Sequence, residues 1–396
     1  MQKFLDWLER VLTPLAKVIG ENKYLVAIRD GFLLSTPLLI VGSVFLLIAN
    51  FPLPQWDTWM SHLLGKDWAT MMSVPASASF DVMTILAVVG IAYSLGKQFN
   101  VDAMQAGIIA LVSFFIVTPY QTLFTPENSS KVYEVTSLPL KWMGSSGLFL
   151  GMIVALIATR LFVAIVRKGW TIKMPEGVPP TVVKSFEALI PSFLVVTLMF
   201  LVNWLAALTP YGNLQDVIFE FLQTPLLSLG NTLGAMSIAY LFLHFFWFFG
   251  INGGSVVGAV FNPVLRALSV ENLQAFKDGH EIPNIITGQF QDMFATFGGA
   301  GSTLSLIIGM VLVCKSQRIK KLSQLSLIPG VFGINEPIIF GLPIVLNPIL
   351  LIPFVLVPAI NIIIAYFAMD WGLVPLTNGI QLPGTTPPII SGFLVS

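Results

Sequence analysis

The sequence predicts an all-α polytopic membrane protein, and three observations carry that expectation. Hydrophobic residues make up 55% of the 396 and charged residues only 10%, against about a quarter charged in soluble domains. Apolar stretches of about 20 residues, the length that crosses a bilayer core as a helix, recur along the chain. Between them the basic residues cluster instead of spreading, as loops sorted to one side of a membrane require.

The first element is an amphipathic helix over 1–22. Phe4, Leu8, Val11, Leu12, Leu15 and Ile19 recur at helical spacing, with Lys3, Asp6, Glu9, Arg10 and Lys17 on the other face. That pattern lies on a membrane surface and is not a cleavable signal. Spans follow at about 30–50, 78–96, 102–120, 144–166, 186–208, 232–249, 294–314 and 341–367. Lys3, Arg10, Lys17, Lys23 and Arg29 precede the first span. Arg160, Arg167, Lys168, Lys173 and Lys184 occupy 160–184, and Lys315, Arg318, Lys320 and Lys321 follow 294–314. These clusters mark the cytoplasmic side and put the N-terminus inside, with 51–77 and 121–143 outside. Because 294–314 must end inside, 209–262 has to hold an extra crossing or a broken helix, with 214–230 as a candidate.

Prolines shape the last third. Pro329, Pro337, Pro343, Pro348, Pro353 and Pro358, with Gly330, Gly333 and Gly341, are too dense for one continuous helix. Open backbone at membrane depth is tolerated only inside protein or along a cavity. The pattern therefore predicts a re-entrant hairpin over 323–342 feeding a kinked span. A second such element is expected at 374–391, around Pro375, Gly379, Pro383, Gly384, Pro387 and Pro388. The sequence ends at Gly392-Phe-Leu-Val-Ser396 without a cationic anchor, so one further span is expected beyond it.

Several function classes fall away. Net charge is zero, which leaves no electrostatic footprint for nucleic acid. Cys314 is the lone cysteine, and His62, His244 and His280 stand far apart, so neither a disulfide framework nor a metal site is expected. No phosphate-binding loop, nucleophile elbow or His-Glu-x-x-His motif occurs, and no cofactor is expected.

The residues left with chemistry are few. Glu336, in Gly333-Ile-Asn-Glu-Pro-Ile-Ile-Phe-Gly341, is a carboxylate in an apolar span. Such a group costs about 2.5–3.5 kcal/mol to insert and usually faces a cavity or a partner; Asn335 stands beside it. In Phe242-Leu-His-Phe-Phe-Trp-Phe-Phe-Gly-Ile-Asn-Gly-Gly-Ser255, His244 and Asn252 share a helical face if the helix is unbroken. Gly250, Gly253 and Gly254 would instead break it at Asn252. Trp247 offers a ring for the C–H face of a sugar, or packs between helices. Gly298 and Gly299, in Phe297-Gly-Gly-Ala-Gly-Ser302, permit close helix packing or backbone contact with a solute. Thr385 and Thr386 sit on the tip of the second hairpin.

These motifs resemble the membrane-embedded IIC (EIIC) component of the bacterial phosphotransferase system, in its lactose/cellobiose (diacetylchitobiose) family. The resemblance runs through Ala27-Ile-Arg-Asp-Gly31, Met174-Pro-Glu-Gly-Val-Pro-Pro180, Phe186-Glu-Ala-Leu-Ile-Pro191, Trp247-Phe-Phe-Gly-Ile-Asn-Gly253, Phe297-Gly-Gly-Ala-Gly301 and Phe332-Gly-Ile-Asn-Glu-Pro-Ile-Ile-Phe-Gly-Leu-Pro343. It implies a homodimer of about ten spans and two re-entrant hairpins. Residues 23–210 would form a dimerising scaffold, and 211–396 a sugar-binding transport domain moving like an elevator. A disaccharide would enter from outside and be phosphorylated on its 6-hydroxyl by a separate phosphocysteine-bearing EIIB. Glu336 would bind near the reacting hydroxyl and help accept its proton, and Trp247 would stack on a ring.

Two departures stand out. Asn252 occupies the position of the family's usual His, and Asn cannot act as a base. Gly384 replaces a tryptophan in Leu382-Pro-Gly-Thr-Thr-Pro387, which predicts an altered second sugar subsite. The competing readings are a facilitator that releases unmodified sugar, with Glu336 as a proton site, and a sugar sensor without flux.

Overall fold

The computed structural model describes residues 14, 18, 21–51, 53, 55–124, 131–175, 177–248, 252–342, 344 and 347–396. The side chains at 123, 180, 181, 248, 336, 340 and 348 lie outside this description. So does nearly all of the expected interfacial helix over 1–22. Among the described residues, seven helices are long and apolar enough to cross a membrane, or up to eight with a bent pair counted as one span. The chain divides into two compact units, one from Lys23–Leu39 and Ser77–Pro225, the other including Ile40–Ala76 and Leu226–Ser396.

In the first unit, the helices Met83–Gln98, Ala103–Ile116 and Leu148–Arg167 pack around Ile91, Leu95, Phe114, Leu148 and Leu150, all buried. The start of Lys23–Ala49 meets Met83–Gln98 backbone to backbone. A Cβ on Gly90 would stand 2.6 Å from the Gly31 carbonyl oxygen, so only small residues allow this approach. Asp102 caps Ala103–Ile116 by accepting from Met104 and Gln105 N–H, each at 3.1 Å. That helix has 14 residues, shorter than the 102–120 expected, because Pro119 disfavours helix at Thr118. The loop after it carries an unforeseen antiparallel pair, Gln121–Phe124 with Tyr133–Thr136. Leu148–Arg167 and Leu189–Ala207 match the spans expected at 144–166 and 186–208.

The break sought in 209–262 takes two forms. Leu214–Gly230 and Leu233–Trp247 form a pair bent by 74°. A 25-residue helix, Gly253–Lys277, then follows where no span was foreseen. Its most apolar stretch has a mean hydropathy of only 1.3, because Asn262, Arg266 and Ser269 interrupt it, and Glu271 and Asn272 follow directly.

In the second unit this helix packs with Leu233–Phe248 and Pro348–Asp370 around Met236, Tyr240, Leu265, Phe290, Ile362 and Met369. Helix is interrupted between Val331 and Glu336, as the density of proline and glycine predicts. Pro353 and Pro358 lie inside Pro348–Asp370, which runs on for 23 residues. Pro348 stands at the helix start, where its missing N–H has no helical partner anyway, and membrane helices absorb the other two losses. The segment 323–342 forms two helical arms, Gln317–Val331 and Glu336–Gly341, joined through Gly333 at φ 74°. Leu322 packs on the backbone at Gly341 to close them. Residues 375–383 contain no helix, and Ile390–Val395 closes the chain.

Candidate functional site

The span Phe290–Val313 is broken where the sequence turns to glycine. A π-helical turn, Phe290–Ala295, gives way to Gly298, Gly299 and Gly301 at φ 74°, 91° and 74°, and helix resumes at Thr303. The loop is pinned by its neighbours. Thr303 Oγ1 donates to Gly298 O at 3.1 Å, and Asn361 Nδ2 to Ser302 Oγ at 2.9 Å. Asn335, at the tip of the hairpin, donates from Nδ2 to Ala300 O at 2.6 Å and to Thr303 Oγ1 at 2.9 Å. A Cβ on Gly299 would lie 2.7 Å from Asn335 Cγ and 2.8 Å from Gly333 O. Glycine is therefore demanded there by close approach as well as by φ. The bonds fix the hairpin tip, where Glu336 opens its short helix. The Glu336 side chain lies outside the description.

The second hairpin segment is held by polar side chains that replace a regular ladder. Asn272, fully buried, donates from Nδ2 to Asn284 O and Thr377 O, both at 2.8 Å. Gln289 Nε2 reaches Gly379 O at 3.2 Å, and the Thr287 and Thr377 hydroxyls meet at 2.8 Å. Gln381 N–H donates to Ser43 Oγ at 2.9 Å. Non-helical backbone is thereby satisfied in the interior, as burial demands. At the tip, Thr386 donates from both N and Oγ1 to Pro383 O, at 2.8 and 2.7 Å, closing a turn.

These pieces enclose a polar cavity of about 190 Å³. Its wall includes Asp292, Thr296, Gly298, Gly299, Gly333 and Thr386. The structure thus brings Gly298, Gly299 and Thr386 together beside the tip that carries Asn335. Thr385 is exposed on the same turn and outside this wall. Ligand pockets usually span about 300–1,000 Å³, so the space suits part of a disaccharide rather than all of it.

Three other expected site residues lie elsewhere in the unit. His244 is fully buried, its Nδ1 2.8 Å from Tyr240 O and its ring edge-on to Phe354. Trp247 is half-buried against the cluster of Ile307, Ile338, Ile339 and Phe354. Asn252 is exposed and caps Gly253–Lys277, its Oδ1 accepting from Ser255 N–H at 2.9 Å. The helix ends at Phe248 and restarts at Gly253, so His244 and Asn252 do not share one helical face; 249–251 lie outside the description. Tyr240 links this helix to the cavity, its hydroxyl 2.6 Å from Thr296 Oγ1 and 3.2 Å from Gln291 O.

Sequence reasoning missed Asp292 and Thr296. The rule that singled out Glu336 applies equally to Asp292, a carboxylate among Phe290, Met293 and Phe294. It escaped because the span was expected to begin at 294, and the π-helical turn carries it back to Phe290.

The model of the family "Phosphotransferase system, EIIC" matches residues 29–358. The lichenan permease IIC component of Bacillus subtilis (strain 168) is 41% identical over 397 residues, spanning 100% of this chain and 88% of that protein. The PTS system cellobiose-specific EIIC component of Geobacillus stearothermophilus is 40% identical over 399 residues, with coverage of 100% and 88%. Among solved structures, the crystal structure of the transporter ChbC, the IIC component from the N,N'-diacetylchitobiose-specific phosphotransferase system, superposes with a TM-score of 0.96. It is 43% identical and covers 98% of this chain and 90% of that one.

Proposed function

The chain belongs to the phosphotransferase system EIIC family, and from that premise we propose that it is the permease for a β-linked disaccharide such as cellobiose, diacetylchitobiose or lactose. The observation that carries this reading is the convergence of Gly298, Gly299, Thr386 and the Asn335 tip on one polar cavity inside an apolar protein. Cellobiose, lichenan and N,N'-diacetylchitobiose, named for its relatives, all carry β-glycosidic links. EIIC components work with an EIIB partner, and here EIIB would be a separate chain. The protein would sit in the bacterial plasma membrane as a homodimer with its N-terminus in the cytoplasm. Residues 23–210 would serve as scaffold and 211–396 would carry the sugar.

The reaction needs little of EIIC beyond placement. The sugar 6-oxygen attacks phosphorus on the EIIB phosphocysteine, the O–P bond forms, the S–P bond breaks and thiolate leaves. The hydroxyl proton must go to a base, and Glu336 is the group proposed for it. Trp247, His244 and Asn252 are proposed as sugar contacts in the state that binds the whole disaccharide.

Uptake of a radiolabelled β-disaccharide panel into membrane vesicles, with and without the phosphocarrier proteins and EIIB, tests this. Phosphorylated sugar formed only with the full set is the expected outcome. Free sugar accumulating without them would establish the facilitator reading, which Asn252 in place of the family's His favours. Glu336→Gln should lower phosphorylated product by about 10²-fold or more, the usual worth of a general base, with the protein still folded.

A further inference from the structure

Among the described residues, the cavity wall contains one ionisable side chain, Asp292. Asp292 sits in the turn Phe290–Ala295, whose Phe290 and Ala295 are fully buried, yet Asp292 itself is exposed. It lies in a segment apolar enough to cross a membrane, and it lines the polar cavity. Its exposure is to that cavity. One neighbour bonds the carboxylate and a second lies within electrostatic range. Gln291 Nε2 donates to Oδ1 at 3.2 Å, and Arg266, on Gly253–Lys277, is close enough for the two charges to interact. Oδ2 accepts from no described side chain.

The rest of the wall has little to offer a ligand in comparison. Gly298, Gly299, Gly333 and Gly384 have no side chains. The Thr296 hydroxyl is engaged with Tyr240 and Gln291 O, that of Thr386 with Pro383 O, and Ser391 adds a single neutral hydroxyl. Asp292 is left as the strongest acceptor facing the space. A carboxylate beside small, backbone-rich walls suits a ligand that presents neighbouring hydroxyls, since its two oxygens can each accept one and the glycines let a ring come close.

We propose that Asp292 is a sugar-binding residue that sets specificity, accepting hydrogen bonds from adjacent hydroxyls of the ring seated against Gly298 and Gly299. The assignment rests on the sugar-site reading above. A hydrogen bond to a charged group is worth about a 10- to 100-fold change in affinity. A site built around one rejects analogues that lack the matching hydroxyl.

The test measures affinity of the full chain in lipid nanodiscs for cellobiose, N,N'-diacetylchitobiose and the monodeoxy analogues of each. In the unaltered protein, removing one or two particular hydroxyls should weaken binding about 10- to 100-fold. In Asp292→Asn the parent sugar should weaken by a similar factor, and those same analogues should then bind no worse than the parent. The other analogues should keep their usual penalties. A merely structural carboxylate would weaken every sugar alike, and that pattern, or unchanged affinity, overturns the assignment. Because Asp292→Asn takes the opposite charge from Arg266, the double variant Asp292→Asn/Arg266→Gln is run beside it and should give the same analogue pattern. An unaltered protein that binds none of these sugars overturns the sugar-site reading itself, a result distinct from the other two.

Discussion

The Asp102 carboxylate starts the Ala103–Ile116 helix and also meets Lys184, whose Nζ is 3.2 Å from Oδ2. The hydrogen bond from Gln105 N–H, opposed by partial burial and helped by Lys184, holds its carboxyl below the usual carboxylate range. A lowered value ties stability to the ionised form. The contribution is fully present above the ordinary value of about 3.9 and is lost as pH falls through the folded value. Asp102→Ala should lower stability at neutral pH by about 0.5–2 kcal/mol, the worth of an N-cap. Asp102→Asn keeps an acceptor oxygen and should lose less. Both should flatten the decline in stability below about pH 4. Melting in detergent across pH 3–7 checks all three outcomes, and an unchanged acid limb in both variants would remove Asp102 from that response.

At the scale of elements, the break between Leu233–Phe248 and Gly253–Lys277 decides what Asn252 can be. As a cap, its Oδ1 satisfies a backbone donor that the new helix leaves open. Asn252→Ser should then melt like the unaltered protein, and Asn252→Ala should lose about 0.5–2 kcal/mol. If Asn252 also touches sugar, Asn252→Ser should weaken affinity without changing the melt. Sugar titration beside the melt therefore separates the two roles. This break was legible because Gly250, Gly253 and Gly254 flank Asn252. The spans at 30–50, 144–166 and 186–208 were legible because their hydropathy is unbroken. Gly253–Lys277 was not, since its polar side chains point into the unit and look from sequence like a loop; Asn272 spends its amide on Thr377 and Asn284. Pro353 and Pro358 lie within one helix, inside the span expected at 341–367. A rule drawn from helix interiors in water overstates what a proline does where neighbouring helices pack around the freed carbonyl. In the site, glycine runs announced Gly298 and Gly299. Asp292 joined them only through the backbone turn at Phe290–Ala295, which no periodicity reports.

At the scale of the whole molecule, the proposed orientation rests on where the cations collect. In the first unit Lys23, Arg160 and Arg167 all reach the Phe99 ring, at 4.7, 5.2 and 5.2 Å from its centre. Lys23 and Arg167 also donate to the carbonyls of Gln98 and Phe99. The start of Lys23–Ala49 and the ends of Met83–Gln98 and Leu148–Arg167 are thus on one side of that unit. The positive-inside rule assigns such a side to the cytoplasm. The same rule assigns Lys315–Lys321 there independently, just after the helix Thr303–Val313. Cys314, the only cysteine in the sequence and a free, half-buried one, marks that junction without any engineering. A membrane-impermeant maleimide should therefore label the unaltered protein in inside-out vesicles and leave it unlabelled in right-side-out ones, with Cys314→Ser silent in both. Labelling only from the outer face would invert the assignment of 315–321 and, with it, the side from which EIIB could approach the sugar. If both vesicle types stay unlabelled although denatured protein reacts, Cys314 would lie within the bilayer. The crossing would then end beyond the Lys315–Lys321 cluster, contrary to the rule that placed it.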